Sequence, residues 1–281
     1  MMKKIIIIIL HFGDSTETNN CLKSIFKNKI TYDEILVVNN NSNFTLDFNK
    51  EKLKINIIKN KKNLGYAGGM NVGIKYGLAK KYYYFLLLNN DIILQNNFVA
   101  DLTKFLDKNK KIGIASPVIK FQRNGQVVYD LGGMVNLHIG RTRHIESEKI
   151  LSFNSKRVDY ISGCCMLIRR EVLKKVGLFD ERFFLYYEDV DFCLRAKKMG
   201  YKLFVETKKS IYHKLSSSVG KNSSLAVYNQ TLSAVLFGKK YSSSINKLLN
   251  IVFILMQSLL IFLKNPRIGR YAFSGFFYGI H

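Results

Sequence analysis

Two uninterrupted apolar runs of strand length constrain the fold of this chain more than any other feature. Residues 5–11 have the sequence Ile-Ile-Ile-Ile-Ile-Leu-His, and residues 82–88 have the sequence Tyr-Tyr-Tyr-Phe-Leu-Leu-Leu. A strand without alternation is typical of a sheet that is covered on both faces. Shorter strand-type runs at 34–39, 55–59 and 112–118 alternate with helix-type segments. This alternation predicts an α/β fold with a parallel sheet.

The size and composition of the chain agree with one such domain. Its 281 residues can bury a full core, and 47% of its residues are hydrophobic. Lys and Arg number 44 against 20 Asp and Glu, so the net charge is +24 and anionic partners are expected. The basic residues are spread along the whole length, without a recognisable nucleic-acid-binding module. We therefore expect nucleotide diphosphates and anionic membrane lipid as partners, and no nucleic acid.

The cysteines and the first residues indicate the compartment. Neither metal-ligand spacing nor the spacing of a disulfide framework relates Cys21, Cys164, Cys165 and Cys193. The first residues lack the pattern of a secretory signal peptide. We expect a reducing, cytoplasmic environment.

An acidic segment follows an aromatic run at 183–187. Glu188 and Asp189 are expected in the first turn of a helix, where the helix dipole favours carboxylates. At 100° per residue Asp189 points towards apolar neighbours, so we expect a half-buried carboxyl with a raised pKa, as suits a general base. Glu188, Asp191 and Arg195 share a polar arc instead. The alternative is that the acids merely begin the helix and Asp191 pairs with Arg195.

A second acidic element, Asn89-Asn90-Asp91, ends the apolar run at 82–88. Ligands of open α/β sheets gather at the carboxyl ends of strands. A carboxylate flanked by amides at that place can hold a divalent cation, which in turn holds a diphosphate. A polar turn at the strand end is the alternative.

Seven short segments, taken together, carry a family resemblance. They are Ile5-Ile6-Ile7-Ile8-Ile9-Leu10-His11, Val37-Val38-Asn39-Asn40-Asn41-Ser42, Asn63-Leu64-Gly65-Tyr66-Ala67-Gly68-Gly69-Met70-Asn71, Leu88-Asn89-Asn90-Asp91, Ser162-Gly163-Cys164-Cys165, Glu188-Asp189-Val190-Asp191 and Tyr212-His213-Lys214. In this order and spacing the chain resembles the family 2 nucleotide-sugar glycosyltransferases with the GT-A fold, and in particular their rhamnosyltransferase-like bacterial members. The resemblance covers roughly residues 4–240.

The resemblance implies a fold and an activity. The fold would be a Rossmann-like mixed sheet flanked by helices, with a helical tail after the domain at 1–240. The activity would be inverting transfer of a sugar from a nucleoside-diphosphate donor, dTDP-rhamnose-like or a UDP-sugar. The acceptor would be a saccharide or a polyprenyl-diphosphate-linked glycan in bacterial cell-surface synthesis. A divalent metal, Mn²⁺ or Mg²⁺, would assist.

The resemblance also assigns roles to individual residues. Asp189 would be the catalytic base, with Glu188 as second candidate, and Asp91 and His213 would hold the metal. The nucleotide-sugar pocket would be formed by His11, Asn39, Gly65, Asn71, Asn90 and Asp91. The acceptor side would carry Gly163, Cys164, Asp191 and Arg195. The chain has Asn39 and Asn89 where many relatives have Asp, which alters the contact to the nucleotide base and leaves Asp91 as the surer ligand.

Two segments near the site are expected to vary within such a fold. Residues 119–158 are predicted to form an inserted hairpin or loop on the acceptor side. His138 and His144 within it are expected to be surface residues. The segment 216–220, Ser-Ser-Ser-Val-Gly, resembles a loop that closes over the diphosphate.

The tail at 241–281 has a different character. The apolar run at 248–263 would form a helix about 24 Å long, short of the roughly 30 Å of a bilayer core. We expect it at the inner face of the plasma membrane, as a peripheral interfacial segment. Its flanking basic residues are Lys247, Lys264, Arg267 and Arg270. A packed C-terminal helix or an oligomer contact is the alternative.

Two other function classes are weighed against transfer. A nucleotide-sugar-binding or scaffold protein of the same fold would not need Asp91, Asp189 and His213 together. A basic membrane-binding or nucleic-acid-binding module would need none of them. The oligomeric state is not predicted.

Overall fold

The computed structural model describes residues 3–49, 51, 53–138, 140–149, 155–215 and 223–281. These residues form 11 strands and eight helices. The strands are β1 (Ile5–His11), β2 (Glu34–Asn39), β3 (Ile55–Lys59), β4 (Tyr84–Asn89), β5 (Ile92–Leu94), β6 (Ile112–Arg123), β7 (Gln126–Asn136), β8 (Arg141–Ser147), β9 (Ser155–Val158), β10 (Cys165–Arg169) and β11 (Lys202–His213). The helices are α1 (Ser15–Lys27), α2 (Gly65–Ala79), α3 (Phe98–Lys108), α4 (Arg170–Val176), α5 (Glu188–Lys198), α6 (Ser224–Tyr241), α7 (Ser244–Lys264) and α8 (Pro266–Ile280).

The strands form one mixed sheet, with the main order β3-β2-β1-β4-β10-β6-β11-β5. Strands β1 to β4 are parallel to one another, and β6 is parallel to β11. Strand β10 lies antiparallel between β4 and β6. The mixed sheet flanked by helices that the resemblance implies is confirmed. Because the carboxyl ends of β1, β2 and β4 meet at one edge, this edge collects their polar ends.

Both faces of the sheet are covered, as the unbroken apolar runs predict. Ile6 and Ile8 of β1 pack on the face that holds α2 and α5, whereas Ile7 and Ile9 pack on the face that holds α1 and α3. All of β1 is buried. The sheet therefore forms a rigid platform for the side chains at its edge.

The segment 119–158 forms antiparallel strands in its described part. Strand β6 continues to Arg123 and turns into β7 through Asn124 and Gly125, which both have positive φ, at 51° and 79°. Strand β7 then pairs with β8. The resulting sheet of β6, β7 and β8 extends beyond the central sheet and forms a wall, which we call the hairpin wall.

The last three helices pack on one another at the end of the domain. Helix α7 has 21 residues, about 31 Å, and is thus longer than the apolar run itself. The 24 Å of the apolar run therefore understates the length of the helix that contains it. Among the described residues one helical segment, Asn246–Lys264, has the length and composition to cross a membrane, with a mean hydropathy of 1.8.

Helix α7 turns two of the three polar residues that interrupt its apolar run inwards. Asn250 and Ser258 are buried at 6% and 1% exposure, whereas Gln257 is exposed. Leucines and other large apolar side chains cover the outer face instead. These exposed residues of α7 are Leu248, Leu249, Val252, Leu255, Met256, Leu259, Leu260 and Leu263.

Candidate functional site

A cleft of about 600 Å³ opens at the polar edge of the sheet. Its floor is formed by the end of β4, the loop before β10 and the first turn of α5. The hairpin wall closes one side. Of the residues that the sequence predicts for the site, Gly163, Cys164, Glu188, Asp189 and His213 line this cleft.

Asp189 is held at the cleft by two backbone donors. The N–H groups of Gly163 and Val190 donate to its two carboxylate oxygens, each at 2.8 Å. Burial raises the pKa of the Asp189 carboxyl, and these two hydrogen bonds oppose that rise only in part. The carboxylate is half-buried, as the helical geometry predicts. It is thus a fixed group of raised basicity that faces the cleft.

The chain enters helix α5 through a strained turn. Tyr186 and Tyr187, which both line the cleft, have left-handed backbone conformations with φ of 70° and 68°. Non-glycine residues rarely adopt this region, and such strain clusters at functional sites. The turn directs both Glu188 and Asp189 towards the cleft floor.

Glu188 is the less satisfied of the two acids. It is 5% exposed, and its Oε2 atom has no hydrogen-bond partner among the described residues. Burial and the neighbouring Asp189 carboxylate raise the pKa of Glu188 well above its ordinary value. A buried carboxyl whose pKa is raised in this way, and which lacks the two backbone donors of Asp189, is less suited than Asp189 to the role of a base.

Asp91 and His213 are brought together by strand pairing. Strand β5, which follows Asp91, pairs antiparallel with the end of β11, so that His213 lies opposite Ile92. The Nε2 atom of His213 is 3.1 Å from Oδ1 of Asp91. Burial alone would lower the pKa of His213, but the neighbouring Cys164 and Asp91 raise it to about 10.

The chemistry of this pair fits a divalent cation that is completed by its substrate. Oδ1 of Asn89 is buried without a hydrogen-bond partner in the described part of the chain, and the contact of the buried Oδ1 of Asp91 is the one with His213. That part holds no cluster of three or more His, Cys, Asp and Glu residues in metal-binding arrangement. Mg²⁺ and similar ions, however, are often held by one or two protein groups together with substrate phosphates. Asp91, His213 and Asn89 offer such a partial set.

Residues 63–69, which we call the glycine loop, lead into and begin α2 and pack against the chain itself. Gly65 has φ of +70°, and a Cβ atom there would lie 2.2 Å from the carbonyl oxygen of Phe184. The N–H of Tyr66 donates to that same carbonyl at 2.8 Å. Asn71 donates to the carbonyl of Phe179 and accepts from its N–H, both at 3.0 Å. Gly65 and Asn71 therefore fix the segment before α5, and contact with a nucleotide remains a prediction for both.

His11, Asn39 and Asn90 make their hydrogen bonds within the protein. Thr18 Oγ1 lies 2.6 Å from Nδ1 of His11 and accepts from Asn90 Nδ2 at 3.2 Å. Asn39 accepts from the N–H of Ser42 and donates to its carbonyl, both at 2.9 Å. These side chains shape the sheet edge next to the cleft, and their predicted contact with the nucleotide is untested.

Asp191 and Arg195 are not at the cleft. Asp191 is fully buried, and its Oδ2 accepts from Nε of Arg195 at 2.8 Å. The hydroxyl of Tyr241 in α6 donates to its other oxygen at 2.6 Å, and Lys240 forms an ion pair with it. The acceptor-side assignment of both residues is corrected here, because α6 packs over this face of α5 and uses the pair as an internal ion pair.

The cleft is also lined by residues to which the sequence patterns assign no role in the site. Asp130, His144 and Tyr160 line the cleft, and Nδ1 of His144 is 2.9 Å from Oδ2 of Asp130. His144 is exposed, so the expectation of a surface residue is confirmed, and its exposed side chain also borders the cleft. The sequence signal was present only as a histidine in a charged, glycine-rich segment. The predicted closing loop at 216–220 lies outside the described residues.

The mixed sheet with polar residues at its edge is a GT-A fold, the fold of nucleotide-sugar transferases. Comparison with known proteins assigns the chain to a family. The model of glycosyl transferase family 2 matches residues 6–177. The chain belongs to this family.

Three relatives give the similarity in sequence. The chain is 29% identical over 204 residues to the dTDP-rhamnosyl transferase RfbF of Shigella flexneri, covering 71% of this chain and 65% of the relative. It is 29% identical over 201 residues to the low-salt glycan biosynthesis hexosyltransferase Agl10 of Haloferax volcanii, covering 70% and 63%. A shorter match, 39% over 66 residues, relates 23% of the chain to 22% of the N-acetylglucosaminyl-diphospho-decaprenol L-rhamnosyltransferase of Mycobacterium tuberculosis. The first two matches thus span somewhat less than two-thirds of those relatives' length.

Solved structures show the same fold at low sequence identity. GalNAc-T7, solved with UDP, GalNAc and Mn²⁺, matches 82% of this chain and 47% of its own with a TM-score of 0.63 and 16% identity. The mannosyltransferase PcManGT of Pyrobaculum calidifontis, solved with GDP-Man and Mn²⁺, matches 97% and 73% with a TM-score of 0.58 and 13% identity.

Proposed function

We propose that this protein is an inverting glycosyltransferase that moves a sugar from a nucleoside diphosphate to a hydroxyl of a saccharide or lipid-linked acceptor. The observation that carries the proposal is the arrangement of the cleft floor. Asp189 and His213, which are far apart in the chain, both line the cleft. Asp91 pairs with His213 beside it. Family membership supports this interpretation.

In the proposed reaction Asp189 takes the proton of the acceptor hydroxyl. The acceptor oxygen forms a bond to the anomeric carbon of the donor sugar as the bond from that carbon to the diphosphate oxygen breaks, and nucleoside diphosphate leaves with the bonding electrons. A single displacement inverts the anomeric centre and needs one base only. The backbone donors of Gly163 and Val190 hold the Asp189 oxygens in place for this transfer.

The other polar groups of the floor serve the leaving diphosphate. Asp91 and His213, with the amide oxygen of Asn89, are the residues that would hold a divalent cation such as Mn²⁺ or Mg²⁺. When bound, the cation would neutralise charge on the diphosphate. GalNAc-T7 and PcManGT were both solved with Mn²⁺, which supports this choice of cofactor.

The names of the relatives support a donor and an acceptor class. A dTDP-rhamnose-like donor or a UDP-sugar is proposed because RfbF is a dTDP-rhamnosyl transferase and GalNAc-T7 was solved with UDP. A polyprenyl-diphosphate-linked acceptor in cell-surface glycan synthesis is proposed because the mycobacterial relative is named for such a substrate.

We also propose that the outer face of α7 contacts the inner face of the plasma membrane. The helix turns its leucines outwards and its polar Asn250 and Ser258 inwards, which is the orientation expected where the surroundings are apolar. Basic residues at its ends and in α8 would meet anionic head groups; they are Lys247, Lys264, Arg267 and Arg270. The four cysteines are unpaired thiols, which agrees with a cytoplasmic location.

The activity is tested by a donor screen. Wild-type protein is incubated with UDP-, dTDP- and GDP-sugars, with and without Mn²⁺, and both binding and slow release of nucleoside diphosphate are measured. Release that requires Mn²⁺ and is lost in Asp189→Asn supports the proposal. An exposed carboxylate provides the control variant Asp101→Asn, which should behave as wild type. Binding of a donor without any turnover would instead support the non-catalytic, nucleotide-sugar-binding alternative.

A further inference from the structure

The hairpin wall presents a second group of polar side chains to the cleft, separate from the floor. Asp130 of β7, His144 of β8 and Tyr160, which precedes β10, all line the cleft. Family membership, which rests on residues 6–177, assigns no role to them. They share the cleft with Asp189, the residue to which the proposed function assigns the acceptor hydroxyl.

A local irregularity in the strand pairing brings these side chains together. The pairing of β7 and β8 shifts between Asp130 and Gly133, and Gly132 has φ of +82° within this bulge. Bulges re-aim side chains and are common beside active sites. A Cβ atom on Gly133 would lie 2.0 Å from the ring of Tyr160, so only glycine leaves room for that ring.

The resulting group is ordered by its own contacts. Asp130 accepts a hydrogen bond from the N–H of Gly132 at 2.9 Å and pairs with Nδ1 of His144 at the same distance. The ring of His144 meets that of Tyr160 edge-on at 5.3 Å. Burial alone would lower the pKa of His144, but Asp130 and then Asp189 raise it.

Two polar atoms remain for a ligand. With Nδ1 directed to Asp130, the Nε2 atom of His144 is the one left to face the cleft. The hydroxyl of Tyr160 is buried near Thr142 but has no well-formed hydrogen bond to any described residue. An unsatisfied buried hydroxyl is costly, and a ligand hydroxyl would satisfy it.

The charged side chains of the wall that line the cleft are paired with one another. Arg123 donates two hydrogen bonds to the carboxylate of Glu146, at 2.7 and 2.9 Å, and His144 pairs with Asp130. The acids Glu188 and Asp189 lie on the floor beside them. Because these charges are already paired and carboxyl groups lie nearby, the site disfavours a phosphate anion. Its polar side chains can still exchange hydrogen bonds with neutral hydroxyl groups.

We propose that His144 and Tyr160, ordered by Asp130, form a subsite for a neutral saccharide unit of the acceptor. The subsite would orient that sugar so that its reacting hydroxyl faces Asp189. This inference rests on the proposed glycosyltransferase function. His144 would act as a specificity-determining residue, with Asp130 as the positioning residue behind it.

The test measures ligand binding by saturation-transfer nuclear magnetic resonance on the full-length protein. The probes are methyl α-L-rhamnoside, methyl β-N-acetylglucosaminide and methyl β-glucoside as neutral sugars, with inorganic phosphate and glucose 1-phosphate as anions. The variants are His144→Gln, Tyr160→Phe and Asp130→Asn. The matched control is His138→Gln, an exposed histidine on the same wall.

We expect at least one neutral glycoside to bind the wild type and His138→Gln equally, and to bind the three variants roughly three- to tenfold more weakly. Donor hydrolysis, in which water replaces the acceptor, should run at the same rate in wild type and His138→Gln, because His138 does not line the cleft. Equal glycoside binding by wild type and His144→Gln, binding of no neutral glycoside, or a preference for the anions that depends on His144 would each overturn the subsite. If the wild type hydrolyses no donor, that result would instead count against the proposed function. Failure of the subsite and failure of the proposed function are therefore distinguishable.

Discussion

The backbone N–H of Gly163 donates to Oδ2 of Asp189 at 2.8 Å, which joins the loop before β10 to the first turn of α5. Two segments that the family resemblance treats as separate elements therefore act as one unit. The hydroxyl of Tyr66 in the glycine loop also donates to the carbonyl of Gly163, so three elements meet at this residue. The position of the base depends on all three.

Replacing Asp189 by Asn should lower turnover by roughly 10² or more, because an amide does not take up a proton at neutral pH. Donor binding should stay nearly intact, because the amide oxygen can still accept from Gly163. Steady-state turnover and donor affinity, measured on the same preparation, check both expectations. Turnover like that of wild type would remove Asp189 from the role of base, and Glu188 would be the next residue to replace.

The raised pKa of Asp189 predicts the pH dependence of the reaction. The base must be deprotonated to act, so kcat/KM should fall as the pH decreases through that raised pKa, nearer to neutrality than for an ordinary aspartate. Profiles of kcat/KM against pH measure this limb. Replacement of Gly163 by Pro, which removes the N–H donor, should raise the pKa further and move the limb to higher pH. A limb that stays in place would contradict the assigned cause.

Glu188→Gln should stabilise the protein at neutral pH. The pKa of Glu188 is raised in the folded state, so its contribution to stability is fully present below its unfolded pKa and is lost as the pH rises through the folded pKa. At pH 7 to 8 the variant should gain about 1–3 kcal/mol, and the gain should vanish at acidic pH. Urea unfolding at several pH values measures it. A variant less stable than wild type at pH 8 would show that the buried carboxylate is paired.

Asp91→Asn should weaken Mn²⁺ binding in the presence of nucleoside diphosphate by about tenfold or more. The carboxylate supplies a negative oxygen that the amide lacks, while Asp101→Asn on exposed α3 removes a charge without touching the cleft. Titration calorimetry with Mn²⁺ compares the two variants. Full wild-type activity in excess chelator would exclude a metal altogether.

Changing the outer face of α7 should release the protein from anionic vesicles. Gln in place of Leu249, Met256, Leu260 and Leu263 removes exposed apolar side chains from one face without disturbing the buried Asn250 side. Co-sedimentation should fall for this variant and remain for Met199→Gln, an exposed methionine elsewhere.

High salt should weaken the binding of wild type, at about 1 kcal/mol for each well-placed basic residue. Resistance to both salt and alkaline carbonate would indicate insertion in place of peripheral contact, and equal sedimentation of all variants would leave α7 as a packed helix.

Local sequence patterns predicted those features that depend on local physics. Unbroken apolar runs predicted the strands that are buried on both faces, and helical periodicity predicted that the Asp189 side chain is half-buried. The i,i+4 spacing of Asp191 and Arg195 correctly allowed an ion pair. Their assignment to the acceptor side failed because α6, distant in the chain, decides which face of α5 is covered.

Features that depend on long-range pairing were not accessible in this way. The approach of His213 to Asp91 follows from the antiparallel pairing of β5 with β11, and only the order of family motifs indicated it. His144 reaches the cleft because a bulge at Gly132 redirects its neighbours, and a seven-residue polar strand gives no periodic signal for that. The length of α7 exceeded its apolar run because polar residues continue the helix at both ends.

The tip of the hairpin wall rests on α7, since Arg141 stacks over the ring of Phe253 at 3.3 Å and a Cβ atom on Gly140 would lie 2.3 Å from Asn250. With the opposite face of α7 in contact with lipid, this junction would set a constant height of the sugar-binding wall above the bilayer. The bilayer surface would then lie at a fixed distance from the site. An acceptor whose glycan is one or two units too long or too short would present its hydroxyl at the wrong distance from Asp189, so chain length as well as sugar identity would decide which intermediates are extended.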